Sequence, residues 1–443
     1  MTQRGQNEKL RVLILSCSAL DKSNSAGSTF SNFFHGMENV ELASLYLGYG
    51  EPNNDLDMRY FQVTEKSLLK NLLNKSFPSG RRVIVGSGAA VGMNKNEKKS
   101  FDFMRTARLQ IFFWMRELIW RIGRVHSKEL QSFVSEFAPD VALVSMNDTC
   151  YLDRESVKIS RKMGVPVCAF IGDDIYSLRR IKLSPLFWID RLIKRASHRR
   201  LIKRCRRLFV MTDTAKAEFD RVFGVDCALI TKSLDFSGEP AYKNEDRDNK
   251  LRFVYTGNLY ANRWRSLAEL GSALSRLNEE YRDKGGPAAE LLIYSMTPMT
   301  SGMKKALSTP AVKLMGGVPA SDIPEIQKGA DILVHAESTL RRNMLVVRLS
   351  FSTKLVDYMH AARCILAIGS SEQASIAHLV RHDAALTVTE KDDMYVQVKR
   401  LYDDPELLRE YAAKAWHCGA EQHQKELMQG RLFSELTKAA QGD

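Results

Sequence analysis

Two serial α/β domains, each built on a doubly wound parallel sheet, are what this sequence predicts, and three observations carry the prediction. Short apolar runs bounded by polar turns alternate with amphipathic segments of helical length, the pattern of parallel strands joined by crossover helices. A chain of 443 residues exceeds what a single hydrophobic core usually serves. Midway, a polar and charged stretch, KSLDFSGEPAYKNEDRDNK (residues 232–250), interrupts the alternation, which then restarts.

In chain order, the first strand is Leu10 to Ser16, followed by a polar loop with Gly27 just ahead of a helix. Asp140 to Val144, Val165 to Ile171 and Leu208 to Met211 are the next strands, with helices between them. Residues 75–106 show weak periodicity, and their Gly-rich part, GSGAAVGMNKNEKK, reads as a loop or insertion. After the break come strands at 251–257, 290–294, 312–316, 332–335, 364–368 and 385–388, with a helix over 266–280. The expected organisation is an N-terminal domain over 1–233, a linker over 234–250, a second domain over 251–403, and terminal helices over 404–443 that pack back on the N-terminal domain.

Composition excludes several classes. No run approaches the roughly 18 apolar residues of a spanning helix, and MTQRGQNEKL has no signal-peptide core, so a cytoplasmic protein is expected. Seven scattered cysteines without a CxxC pair point to reduced, packed thiols rather than disulfides or zinc. The net charge of +13 is lopsided, with Lys+Arg against Asp+Glu at 41 to 29 in residues 1–250 and 24 to 23 thereafter. The first half is therefore expected to meet something anionic. No helix-turn-helix, RNA-binding consensus or zinc-finger spacing accompanies the charge, so nucleic acid is not expected.

The segment STKLVDYMHAARCILAIG (residues 352–369) concentrates the candidate chemistry. Ser350 and Ser352 are candidate caps of a helix whose start would favour a phosphate, with Thr353 beside them and Lys354 adding positive charge. Asp357 lies three residues on, on the same helix face, where it can accept hydrogen bonds from ribose hydroxyls. The plain alternative is an amphipathic helix with an i,i+3 ion pair. Asp173-Asp174 in FIGDDIYS and Asp21 are candidates to bind or deprotonate an acceptor hydroxyl, against a helix-capping or loop role. Glu372 is a candidate sugar contact if a helix opens at Ser370, and His335 reads as a core histidine.

Several segments of the second half share an order with one known family: VYTGNLYANRWRSLAELGSAL, LLIYSM, VKLMGGVPASDIPEIQKGADILVHAES and STKLVDYMHAARCILAIG. Together they resemble the nucleotide-sugar-binding domain of glycosyltransferases with the GT-B fold, in particular the glycosyltransferase group 1 (glycogen-synthase-like) family. The regions beginning FAPDVALVSM and RRLFVMTDTA are more loosely similar to its first domain. The resemblance implies two Rossmann-like domains facing across a cleft, and sugar transfer from a UDP- or GDP-sugar to a cell-surface polysaccharide or to another glycan or polyprenyl-linked acceptor. It implies that Arg263 and Lys354 hold the donor phosphates, that Asp357 holds the ribose, and that backbone near Gly317 and Val318 faces the base. Gly257 lies in the glycine and basic segment, and neither a metal nor a separate cofactor is implied. The chain departs from the family at Leu349, where an acid often stands eight residues before 357, and at Ala362-Arg363-Cys364. An inactive scaffold of the same fold and a nucleotide-sugar epimerase remain the alternative readings.

Two basic, aromatic stretches in the first half stand apart. Residues 107–125 (ARLQIFFWMRELIWRIGRV) place Trp114 and Trp120 among Arg108, Arg116, Arg121 and Arg124; residues 191–207 carry nine Lys/Arg with a partial apolar stripe. Each suits an anionic membrane surface, giving a peripheral location on the inner face. A buried domain helix is the alternative for the first, and a solvated helix face for the second.

Overall fold

The structure, a computed structural model, describes residues 9–22, 25–86, 110–242, 250–284, 288–390 and 392–442. Most of the Gly-rich segment, residues 243–249 of the break, and Arg108 fall outside the described residues.

Strands β1 (Leu10–Ser16), β2 (Val40–Leu47), β3 (Met58–Val63), β4 (Gly80–Val83), β5 (Val141–Met146), β6 (Val167–Ile171), β7 (Cys205–Val210) and β8 (Ala228–Leu229) form one sheet. Their order is β4-β3-β2-β1-β5-β6-β7-β8, and only the β3–β4 pair is antiparallel. Alternation along β1 explains why both faces are covered: Leu13 and Leu15 join one apolar cluster, Val12 and Ile14 the other. The sequence reading places no strand between residues 17 and 139, and β2 to β4 are additions to it. Buried polar side chains, Ser44 in β2 and Gln62 in β3, break up the apolar runs that announce a strand. Gln62 is satisfied there by donating to the Gly48 carbonyl at 3.0 Å.

Strands β9 (Lys250–Thr256), β10 (Ala288–Tyr294), β11 (Val312–Gly316), β12 (Ile332–Ala336), β13 (Cys364–Ile368) and β14 (Leu386–Val388) form the second sheet, ordered β11-β10-β9-β12-β13-β14 and parallel throughout. Both sheets are doubly wound, and each reverses direction once, at β1/β5 and at β9/β12. Ligands of such sheets bind outside the carboxyl ends of the strands flanking that reversal.

The last two helices tie the halves together. Pro405–Gln422 packs on helix Lys354–His360 and β13, whereas Lys425–Gln441 lies against β5, β6 and β7. Gln429 Nε2 there donates to the Phe33 and His35 carbonyls at 3.2 and 2.9 Å, and Arg431 Nη1 to the Leu229 carbonyl at 3.1 Å. One apolar cluster consequently runs from Phe30 and Leu436 to Leu355, Tyr358 and Trp416.

Candidate functional site

At the β9/β12 reversal lies a cavity of 520 Å³, closed on its other side by Lys22, Ser28 and Lys232. Each of its cationic walls is set by local structure. Strand β9 ends at Thr256, and the following loop turns through Ala261 and Asn262, both left-handed with φ of 56° and 63°. Asn343 Nδ2 fixes that turn by donating to the Ala261 carbonyl at 2.8 Å. Helix Arg263–Tyr281 then starts with its first side chain at the cavity.

Arg263 is half-buried and held in a two-pronged pair by Glu337, which follows β12: Nε to Oε2 at 3.1 Å and Nη2 to Oε1 at 3.0 Å. Its Nη1 donates to Asn258 Oδ1 at 3.0 Å. Burial disfavours the guanidinium charge, but the Glu337 carboxylate outweighs it and holds the pKa above the ordinary value. His335 lies one residue inside the strand; burial pushes its pKa down to about 4, so the imidazole is neutral at pH 7.

Lys354 differs from Arg263 in having no carboxylate partner. Its Nζ donates to the Thr256 carbonyl at 3.0 Å and makes no ion pair among the described residues. Burial, with Arg263 nearby adding repulsion, lowers its pKa to about 8. Gly257 permits this placement, because a Cβ there would come within 2.1 Å of the ammonium nitrogen. Asp357, half-buried on the same helix, accepts from Lys232 Nζ at 2.5 Å.

The structure thus brings Arg263, Ser352, Thr353, Lys354 and Asp357 to one cavity, with Gly257 against Lys354. Other expectations are corrected. Ser350 and Ser352 do not cap the helix: the Ser350 hydroxyl donates to Asp173 Oδ1 at 2.5 Å, and the Ser352 carbonyl closes the first turn by accepting from Leu355 N–H at 2.9 Å. Gly317 and Val318 sit beyond β11 and do not line the cavity; Gly317 abuts Met296 instead. Glu372 precedes a helix that begins at Ala374 and is exposed, paired with Arg341 at 2.5 Å.

A second cavity, also of 520 Å³, opens at the β1/β5 reversal and shares Val347, Ser350, Phe351 and Thr353 with the first. Asp173 and Asp174 both line it, and Asp173 is exposed. Asp174 is no free base, contrary to its place among the candidates. It is buried, it accepts from Ser177 N–H at 2.9 Å and from Arg348 Nε at 2.9 Å, and Arg191 and Arg180 stand at 3.5 and 3.7 Å. Burial would raise its pKa, yet these hydrogen bonds and cations hold it below the ordinary value, the reverse of what proton abstraction requires. Asp21 lines neither cavity; its backbone bridges to Asn53, and its carboxylate receives Asn53 Nδ2 at 3.4 Å.

Sequence reasoning missed Glu337, Asn258 and Lys232. Glu337 had a signal, an acid directly after the β12 apolar run at a sheet reversal, which is where such folds place ligand contacts. Lys232 had none, because only folding brings the end of one domain against helix Lys354–His360.

The fold defines a class, the two-lobed architecture called GT-B, with two doubly wound sheets and a cavity at each reversal. No family model matches the chain, and no curated protein matches it. Solved structures do. Anabaena HepE in complex with UDP and glucose aligns at TM-score 0.59 with 13% identity, covering 97% of this chain and 100% of that one. Sucrose-phosphate synthase from Thermosynechococcus elongatus aligns at 0.61 with 10% identity over the same shares. An α,α-trehalose-phosphate synthase (UDP-forming) from Burkholderia vietnamiensis aligns at 0.54 with 10% identity, again over 97% and 100%.

Proposed function

We propose that the protein is a glycosyltransferase that takes a sugar from a nucleotide-diphosphate donor, UDP- or GDP-linked, and passes it to a cell-surface glycan or polyprenyl-linked acceptor at the inner face of the membrane. One observation carries the reading: Lys354 is a half-buried ammonium facing a 520 Å³ cavity, bonded to a backbone carbonyl and without a carboxylate partner among the described residues. Keeping a cation there is costly unless an anion completes the site. That HepE is seen in complex with UDP and that the trehalose-phosphate synthase is UDP-forming supports uridine as the base.

In transfer, the bond from anomeric carbon to the terminal phosphate oxygen breaks, and negative charge grows on the diphosphate as an acceptor oxygen attacks. Lys354 and Arg263 stabilise that charge, Arg263 being held in place by Glu337. Because these cations belong to the protein, transfer needs no divalent ion and survives EDTA. Asp357 binds the ribose, and Asp173, at the mouth of the second cavity, is the carboxylate placed to orient an acceptor hydroxyl. Leu349, where the family often has an acid, is buried in the apolar cluster of the first sheet and lines neither cavity, so its lack of a polar atom does not disable the donor site. A screen of UDP- and GDP-sugars with oligosaccharide and polyprenyl-phosphate acceptors, read by nucleoside diphosphate release, should give turnover with at least one pair. Nucleotide binding without turnover for any pair would favour the scaffold reading.

A further inference from the structure

Parts of the two basic stretches come together on one surface, although Trp120, Arg191 and Lys194 are buried and Arg116 is paired with Glu65. Helix Gln110–Ile122 buries Trp120 against the first domain and turns the opposite stripe, Ile111, Met115, Leu118 and Ile122, outward at 55% to 63% exposure. Their spacing of four, three and four residues puts all four on one narrow face. Beside it runs helix Pro185–Ile202, where Leu186, Ile189 and Ile193 are 42% to 53% exposed and Leu183, just ahead, is 99% exposed. Trp114 Nε1 donates to Asp190 Oδ1 at 3.0 Å and pins the two helices together.

Between them and helix Cys150–Met163 lies a groove of 1010 Å³, lined by Arg121, Arg161, Arg200, Lys203 and Arg204, none of which makes an ion pair among the described residues. The carboxylates of the groove are already committed. Glu117 accepts from the Cys150 N–H at 2.7 Å, Asp153 pairs with His198 at 2.8 Å, and Asp190 with Lys194 at 2.8 Å. Five cations therefore stay uncompensated next to an apolar face.

We infer that this face docks on an anionic bilayer, with the apolar side chains entering the interfacial layer and lipid phosphates seated on the groove arginines. A cationic rim around exposed aliphatic residues is complementary to phosphate headgroups above acyl chains. It is ill suited to a second copy, since a two-fold interface would set the same cations against one another. The inference deepens the peripheral location proposed above but uses none of the donor-site residues, so vesicle binding reports on one and UDP binding on the other.

The test is co-sedimentation of the full chain with phosphatidylcholine vesicles, with and without phosphatidylglycerol, across a salt series. Binding to the anionic vesicles alone, weakening with salt, is expected. The variant R121E/R200E/K203E/R204E should lose about fivefold in partitioning for each cation removed, and Met115→Ser with Ile122→Ser should weaken binding at every salt concentration. Both variants should keep UDP binding, which shows that they fold. Failure to bind anionic vesicles, equal binding to both vesicle types, partitioning unchanged by the charge reversal, tighter binding to an RNA or DNA duplex than to vesicles, or self-association that buries the stripe would each overturn the inference.

Discussion

The two sheet reversals make similar cavities of opposite character. At β1/β5 the charge is internally closed: Asp174 is surrounded by Arg180, Arg191 and Arg348, and Arg348 also holds Glu218 through both terminal nitrogens. At β9/β12 it is left open, with Arg263 matched by Glu337, Asp357 by Lys232, and Lys354 by no carboxylate among the described residues. The ion pairs of Arg348 at the first cavity act between lobes, because Arg348 comes from the second-sheet half and Asp174 and Glu218 from the first. The comparison teaches where to look for a ligand: a closed network leaves no charge for a ligand to match, whereas the open one presents an unmatched cation.

The largest effect should come from breaking the closed network. Asp174→Ala leaves three buried or half-buried arginines facing one another and should cost about 3 kcal/mol of stability, read in a denaturant melt. The next is at the open site. Arg263→Ala removes the proposed phosphate contact and takes away the guanidinium paired with Glu337, and should weaken UDP binding by about 2 kcal/mol. Asp357→Ala should be milder and selective, costing about 1 kcal/mol for UDP through lost ribose hydrogen bonds while leaving inorganic diphosphate binding no weaker. An equal loss for both ligands would move Asp357 from the ribose to the phosphates.

Proton linkage gives the smallest and most specific effect. In the proposed donor site the diphosphate would bind the ammonium form of Lys354, whose pKa burial lowers to about 8. UDP affinity should be flat below that pH and fall as the pH rises through it, with proton uptake on binding. Lys354→Arg should bind UDP without this fall, since guanidinium stays charged.

How much of this was legible depended on how local the information was. The second sheet was readable because its strands are short apolar runs closed by glycine or polar turns, as in LRFVYTG and CILAIG. Strands β2 to β4 were not, because Ser44 and Gln62 interrupt the hydrophobic signal, and the Gly48 carbonyl that satisfies Gln62 comes from the fold. Within the site, Lys354 and Asp357 were legible from helix spacing. The capping role given to Ser350 was not, because its partner, Asp173, is supplied by the other lobe. Asp174 misled in part for the same reason: a carboxylate at a strand end looks catalytic until Arg180 and Arg191 of its own lobe and Arg348 of the other surround it.

Calorimetric titration of UDP into the wild-type protein and into Lys354→Ala at pH 7 tests the central claim most directly. The account predicts a measurable binding isotherm for wild type and about a hundredfold weaker binding for the variant, the loss of a charge-assisted phosphate contact. Equal affinities, or no binding to wild type, would contradict it.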